Sequence, residues 1–393
     1  MSSWEERLVL EEIQMPPRLV VGVMHRAPIP PTAGLRAGEP RPTRVIHMKI
    51  QPATSRYKLP SKPMRCKGGK QHSPRRTLLL RRSELRPASI ASPSRVDVQV
   101  IDHIEAVFRH CQQQEDALGP QVVLQTVLAE RQMVDALLAD CPAPLRSRLL
   151  SVHSRMSSSV GYYFFDLGDA ASAMHYCDQA RANAQEARNT ELAIYALCNT
   201  SCFASWQGKV HTAIDFAGAA QSLADKTDDV LLQLCAAERA GTAYAVDGQY
   251  KECMAAFERA QVELESSADE VCPESPAYWY HEGLVASQQS DCLLRLGKPQ
   301  EAVSKASAGL RLFDTSFVGS RAFCTLRLGT AYLQSDEVEE AAQVIGDGAL
   351  LATQNRSTRL TGEVQTARAC LQPWQGTQAV KTLDERLREI GLG

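Results

Sequence analysis

The sequence predicts an all-α chain: a solenoid of antiparallel helix pairs over residues 97–393, preceded by a disordered basic tail over residues 1–96. Three observations carry this. First, one piece of grammar recurs. Gly161–Ala180 (GYYFFDLGDAASAMHYCDQA) reads as a helix, a tight turn at Gly168-Asp169 and a second helix running back. The turn returns at Gly208 (GKVHTAIDFAGAA), Gly248 (GQYKECMAAFERA), Gly297 (GKPQEAVSKASAG) and Asp336 (DEVEEAAQVIGDG). The starts lie about 40 residues apart, with one gap of about 49, a period typical of helical repeats. Second, each returning helix carries a small residue five positions after its turn: Ala173, Ala213, Cys253, Ala302 and Ala341. Small side chains there let paired helices approach closely. Third, prolines punctuate residues 1–96 from Pro16-Pro17 to Pro93 too often for helix, because each removes a backbone donor and biases its predecessor toward extended geometry.

Composition is consistent with this division. The chain has 393 residues, 44% hydrophobic and 22% charged, which is ample for a folded core. Net charge is only −2, yet residues 1–95 hold 19 Lys/Arg against 6 Asp/Glu, so a basic tail precedes an acidic body. The tail's apolar residues are sparse and aperiodic, too few to offset the entropy of ordering. Twelve cysteines stand singly, without CxxC spacing, and read as reduced thiols of a cytoplasmic protein. Glu5, Glu6, Glu11 and Glu12 stand where an export signal would be basic. No run approaches the roughly 20 apolar residues of a membrane span, so no membrane partner is expected.

Taken in order, the body opens with a helix pair over 97–140. Val100, Ile101, Ile104, Val107 and Phe108 recur at helical spacing, and Gly119-Pro120 ends that helix. Val123, Leu124, Val127, Leu128, Val134 and Leu137 repeat the pattern up to Cys141-Pro142, and Pro144 suits the first turn of the next helix. The repeats occupy about 144–354. Phe164, Tyr244, Leu293 and Tyr332 on the first helices, with Tyr250 and Phe257 on one second helix, are expected to fill the grooves between repeats. Ser266–Pro276 (SSADEVCPESP) reads as a surface loop, which accounts for the long gap. A terminal pair spans 356–390, and its charged last helix (KTLDERLREI) suits a solvent-facing cap.

The segments QEDALGP, LLSVHSRMSSSVGYYFFDLGDAASAMHYCDQA, YWYHEGLVASQQSDCLLRLGKPQEAV and the closing LQPW…LDERLREIGL, in that order, resemble one group. It is the C-terminal tetratricopeptide-repeat half of actinomycete helix-turn-helix (XRE-type) transcriptional regulators. The resemblance covers about residues 97–393. It implies a right-handed superhelix and a sensing or interaction role; separately, no cofactor is expected, and a second copy of the chain, as a homodimer, is one candidate partner. That family opens with a compact DNA-binding domain, for which residues 1–96 show no pattern of closely spaced amphipathic helices. Sequence-specific DNA contacts are therefore not carried over to any residue.

In such a stack the first helix of each pair lines the concave groove. Matching the repeats to that arrangement points Arg155, Tyr162, Asn199, Glu238, Arg239, Gln288, Asp291 and Arg327 inward. Amides can both donate to and accept from a peptide backbone, and Arg can fork onto a carboxylate. The expected partner is a peptide or protein segment, and the alternative is a hydrated wall whose charges satisfy one another. Lys67, Lys70, Arg75, Arg76, Arg81 and Arg82 would give the tail nonspecific, salt-sensitive contact with nucleic acid. A DNA-binding regulator in its own right is the runner-up reading. Cys198 and Cys202 sit one helical turn apart but lack the further ligands that zinc requires, so buried thiols are expected. Tyr278-Trp279-Tyr280-His281-Glu282 contains HE, but Val285 stands where the second histidine of HExxH would be. These aromatics read as packing at a helix start. His153, His175 and His211 are isolated on helices and are expected to be surface or partly buried side chains, not bases. No nucleophile elbow, phosphate loop or dinucleotide fingerprint is present, so no catalysis and no metal are expected.

Overall fold

The computed structural model describes residues 96–266, 275–355 and 357–393; the tail, including Lys67, Lys70, Arg75, Arg76, Arg81 and Arg82, lies outside them. The described residues are all-helical: α1 (Val98–Leu118), α2 (Pro120–Ala139), α3 (Ala143–Asp166), α4 (Ala170–Ala187), α5 (Thr190–Trp206), α6 (Val210–Ala224), α7 (Val230–Val246), α8 (Tyr250–Ser266), α9 (Glu282–Arg295), α10 (Pro299–Leu312), α11 (Val318–Gln334), α12 (Val338–Asn355), α13 (Thr358–Cys370) and α14 (Gln378–Glu389). The turn dipeptide Gly119-Pro120 does more than end α1. Proline at a first helical position sacrifices no bond, so Pro120 also opens α2. Side-chain caps fix other starts: Asp169, Asn189 and Asp229 each accept a hydrogen bond from the backbone three residues on, at 3.0, 3.0 and 3.1 Å.

Helices pair as α3/α4, α5/α6, α7/α8, α9/α10 and α11/α12, and the odd-numbered helices also pack side by side. This gives two layers, with α1, α3, α5, α7, α9, α11 and α13 in one and the returning helices in the other. Each pair turns through a left-handed residue: Gly168 (φ 86°), Gly208 (φ 68°), Gly248 (φ 77°), Gly297 (φ 67°) and, in the fifth, Asp336 (φ 65°). The small residues five positions on are all fully buried. Opposite each, twelve positions earlier, stands Gly161, Ser201, Gly241, Ser290 or Gly329. Ser201 and Ser290 donate to the carbonyls of Ala213 and Ala302, both at 2.9 Å. A Cβ on Gly241 would lie 2.7 Å from the Phe257 ring, and one on Gly329 would lie 2.7 Å from Ile345.

Three sequence expectations need correction. Tyr250 is 36% exposed, and its hydroxyl donates to Glu301 at 3.1 Å instead of filling a groove. Tyr244 is only half-buried, beside an open crevice between α6 and α7. The surface loop does not extend to Pro276: Ser275, Pro276 and Ala277 are buried, because Ala277–Tyr280 bring apolar area that the inner helices cover.

The stack also bends far enough for its ends to meet. Helix α1 packs against α11 and α12. A Cβ on Gly119 would lie 1.8 Å from the carbonyl oxygen of Asn355, so glycine is required for this approach. Across the space between, Arg359 of α13 donates to Asp166 at the end of α3, at 2.9 Å.

Candidate functional site: the inner chamber

Closure turns the concave groove into a chamber of about 140 Å³ between α1, α3, α9, α11 and α13. Its wall carries the aromatics Tyr162, Tyr195, Trp279, Phe317 and Phe323 together with Ser287, Gln288, Arg327, Asn355 and Arg359. Arg359 is wedged between Phe323 (4.1 Å to the ring centre) and Phe165 (4.7 Å), a favourable cation–π arrangement when partly desolvated. Behind it, Phe165 stacks on Phe203 at 4.5 Å and meets Trp206 edge-on at 5.4 Å.

The segment Ser275–His281 enters this inner space ahead of α9. Trp279 Nε1 donates to the Tyr195 hydroxyl at 3.2 Å, and the Trp279 ring lies 6.2 Å from that of Tyr162. The Tyr280 hydroxyl donates to Glu238 Oε2 at 2.7 Å. Sequence alone read these aromatics as packing at a helix start. Their burial against α5 and α7 agrees, but it also means that the chain's own backbone fills part of the trough.

The eight inward residues therefore divide. Tyr162, Gln288 and Arg327 line the chamber. Burial pushes the Tyr162 phenol upward, and neither Tyr162 nor Gln288 has a side-chain hydrogen-bond partner among the described residues. Asp291 sits between Arg295 (2.9 Å) and Arg327 (3.7 Å); burial opposes ionisation, but the two guanidinium groups hold its carboxyl at about 2. Glu238 and Arg239 are fully withdrawn, and form an ion pair at 2.9 Å beneath Tyr280. The Thr242 hydroxyl donates to the other Glu238 oxygen at 2.7 Å, so this acid is satisfied internally and not offered to a ligand. Asn199 is also fully buried, and among the described residues neither amide atom has a well-aligned hydrogen-bond partner. Arg155 is largely desolvated, which lowers its pKa from the usual value; nearby Glu105 is already bonded by Arg148 at 2.7 Å.

Two other sequence readings can be placed. Cys198 is fully buried and Cys202 half-buried on α5. His153 is not at the surface: it is 3% exposed, with Nε2 at 2.8 Å from Asp135 Oδ1 but poorly aligned for a hydrogen bond. His175 and His211 are exposed. Among the described residues no three His, Cys, Asp or Glu side chains are placed to hold a metal ion, and no helix is long and apolar enough to cross a membrane. Arg359, Asp166 and Asn355 were not anticipated. Their partners lie far away in the chain, and only Gly119 at a helix junction hinted at a close approach.

The described chain is thus of the tetratricopeptide-like class, an all-α stack of antiparallel helix pairs with a walled inner face. No family model matches it, and no curated protein matches it in sequence. Solved structures are similar to it at low identity. NprR in complex with its cognate peptide NprX shares 15% identity, covering 74% of this chain and 77% of that one, at a TM-score of 0.46. The apo form of the quorum sensor NprR from B. thuringiensis shares 13%, covering 75% and 88%, at 0.42. BtubC from P. vanneervenii shares 11%, covering 59% and 91%, at 0.42.

Proposed function

We propose that this is a non-catalytic binding protein whose inner helical wall takes up a peptide or a segment of a protein partner, and that it serves as the sensing part of a transcriptional regulator. One observation carries the reading. The inner face holds a chamber whose wall includes Tyr162 and Gln288, polar groups with no partner among the described residues. Buried or half-buried polar groups are normally paired, so unpaired ones facing a cavity suit a ligand that completes them. Occupancy has a route to a signal. The chamber is bounded by the first repeat and the last pair, which meet through Arg359 and Asp166. A ligand wedged there biases the stack between closed and open forms, provided it binds one form better.

The test begins with peptides selected from a random display library against the full chain. Tyr162→Phe combined with Gln288→Ala is expected to weaken a selected inner-face peptide at least tenfold, with the melting temperature nearly unchanged. Unaltered binding in the double variant removes these residues from the site.

A further inference from the structure

Beneath the inward segment Ser275–His281 lies a pair of thiols that peptide capture does not use. The segment is anchored on two helices: Trp279 donates to Tyr195 of α5, and Tyr280 donates to Glu238 of α7. Cys198 stands three residues after Tyr195, and Cys235 three residues before Glu238. Residues three apart are neighbours on a helix face, so each cysteine lies one turn from an anchor. Both side chains are fully buried in one apolar cluster, and their thiols meet across the α5/α7 interface closely enough to hydrogen-bond. The Tyr280 hydroxyl reaches Cys235 as well.

A second pair, Cys253 of α8 and Cys292 of α9, also touches, but its surroundings differ. Arg239 follows Cys235 by one helical turn. Burial pushes the Cys235 thiol up, yet the Cys198 thiol bonded to it and the Arg239 guanidinium outweigh burial and hold it below the usual range. Cys198 itself is pushed up by that same bond and by burial. Cys292 is pushed well up by its bond to Cys253 and by burial, and the charges beside it are the acids Asp291 and Glu238. A thiol beside a cation, in contact with a second thiol, matches an attacking and a resolving cysteine.

We propose that Cys198 and Cys235 form a reversible disulfide that ties α5 to α7 beneath the Ser275–His281 segment. The oxidant is hydrogen peroxide. The Cys235 thiolate attacks one peroxide oxygen; the O–O bond breaks, and the other oxygen leaves as hydroxide and takes up the Cys235 proton as water. This leaves a sulfenic acid on Cys235. The Cys198 sulfur then attacks the Cys235 sulfur. The S–S bond forms, the S–O bond breaks, and the hydroxyl leaves with the Cys198 proton as a second water. Two thiols are thus oxidised and one peroxide reduced. A dithiol reductant reverses the bond by exchange. Neither thiol is exposed, so peroxide reaches them when the segment lifts, and the segment gates the reaction. The proposal is independent of what the chamber binds.

Peptide mapping of the full chain tests it. The reduced protein is exposed to hydrogen peroxide under native conditions, alkylated, digested with trypsin and read by mass spectrometry. A cross-link between peptides 189–209 and 227–239 is expected, and dithiothreitol should remove it. Peptide 189–209 also holds Cys202, so Cys202→Ala should keep the link, whereas Cys198→Ala and Cys235→Ala should each abolish it. Should these variants fold poorly, fragmentation of the linked wild-type peptides assigns the sulfur directly. Trp279→Phe frees one anchor of the segment and should speed linking at least threefold. No link in the folded chain, a link carried by Cys202, preferential pairing of Cys253 with Cys292, or a link formed only in urea overturns the proposal. An unchanged rate in Trp279→Phe overturns the gating.

Discussion

At Gly248 the backbone sits at φ 77° with open space where a Cβ would go, so only its conformation resists substitution. A left-handed residue bearing a Cβ costs about 1–2 kcal/mol, and Gly248→Ala should lower stability by about that much in denaturant unfolding. Gly241 is the contrasting case: its alanine would press on the Phe257 ring, and overpacking of this kind costs about 1–3 kcal/mol. The turn glycines were legible because they repeat at a fixed period. The facing Gly/Ser row was equally present, twelve residues before each small residue, and aligning the repeats on their turns would have exposed it. His153 was misjudged because isolation in sequence says nothing about burial. Burial, reinforced by Arg131, lowers its pKa to about 4. The folded state therefore disfavours a proton that the unfolded state binds below about pH 6.5. Stability should be constant above that value and fall by at most about 3 kcal/mol as pH drops toward 4. Thermal melts of wild type and His153→Gln across that range check this, the variant showing the shallower fall.

Among the elements, Ser275–His281 carries the most information about the site. The other connections between repeats are short, whereas this stretch turns inward and places two aromatic hydroxyl or N–H donors on acceptors of α5 and α7. Tyr280→Phe removes a donor from a buried carboxylate. Such hydrogen bonds contribute about 1.5–3 kcal/mol, and the loss should appear in chemical denaturation. Trp279→Phe removes a weaker, neutral bond and should cost about 1 kcal/mol. The sequence disclosed that this stretch is apolar and aromatic, which is why packing was expected. It could not disclose the surface it packs on, since Tyr195 and Glu238 are 84 and 42 residues away from their partners.

For the whole molecule, the decisive feature is closure. The stacking of antiparallel pairs was legible from local periodicity alone, because each pair is held by neighbours in the chain. Closure depends on Arg359 meeting Asp166 across 193 residues and on Gly119 meeting Asn355, pairings that leave no periodic trace. Removing one partner of a partly buried ion pair leaves the other uncompensated. Arg359→Gln should therefore lower the melting temperature and enlarge the radius of gyration in solution scattering; an unchanged radius would show that the ends hold without this bond. The claim that the inner wall is the binding surface is tested most directly by hydrogen–deuterium exchange of the full chain with and without a display-selected peptide. The account predicts added protection on α3, α9, α11 and α13, whereas protection confined to α4, α6, α8, α10 and α12, or to residues 1–96, would contradict it.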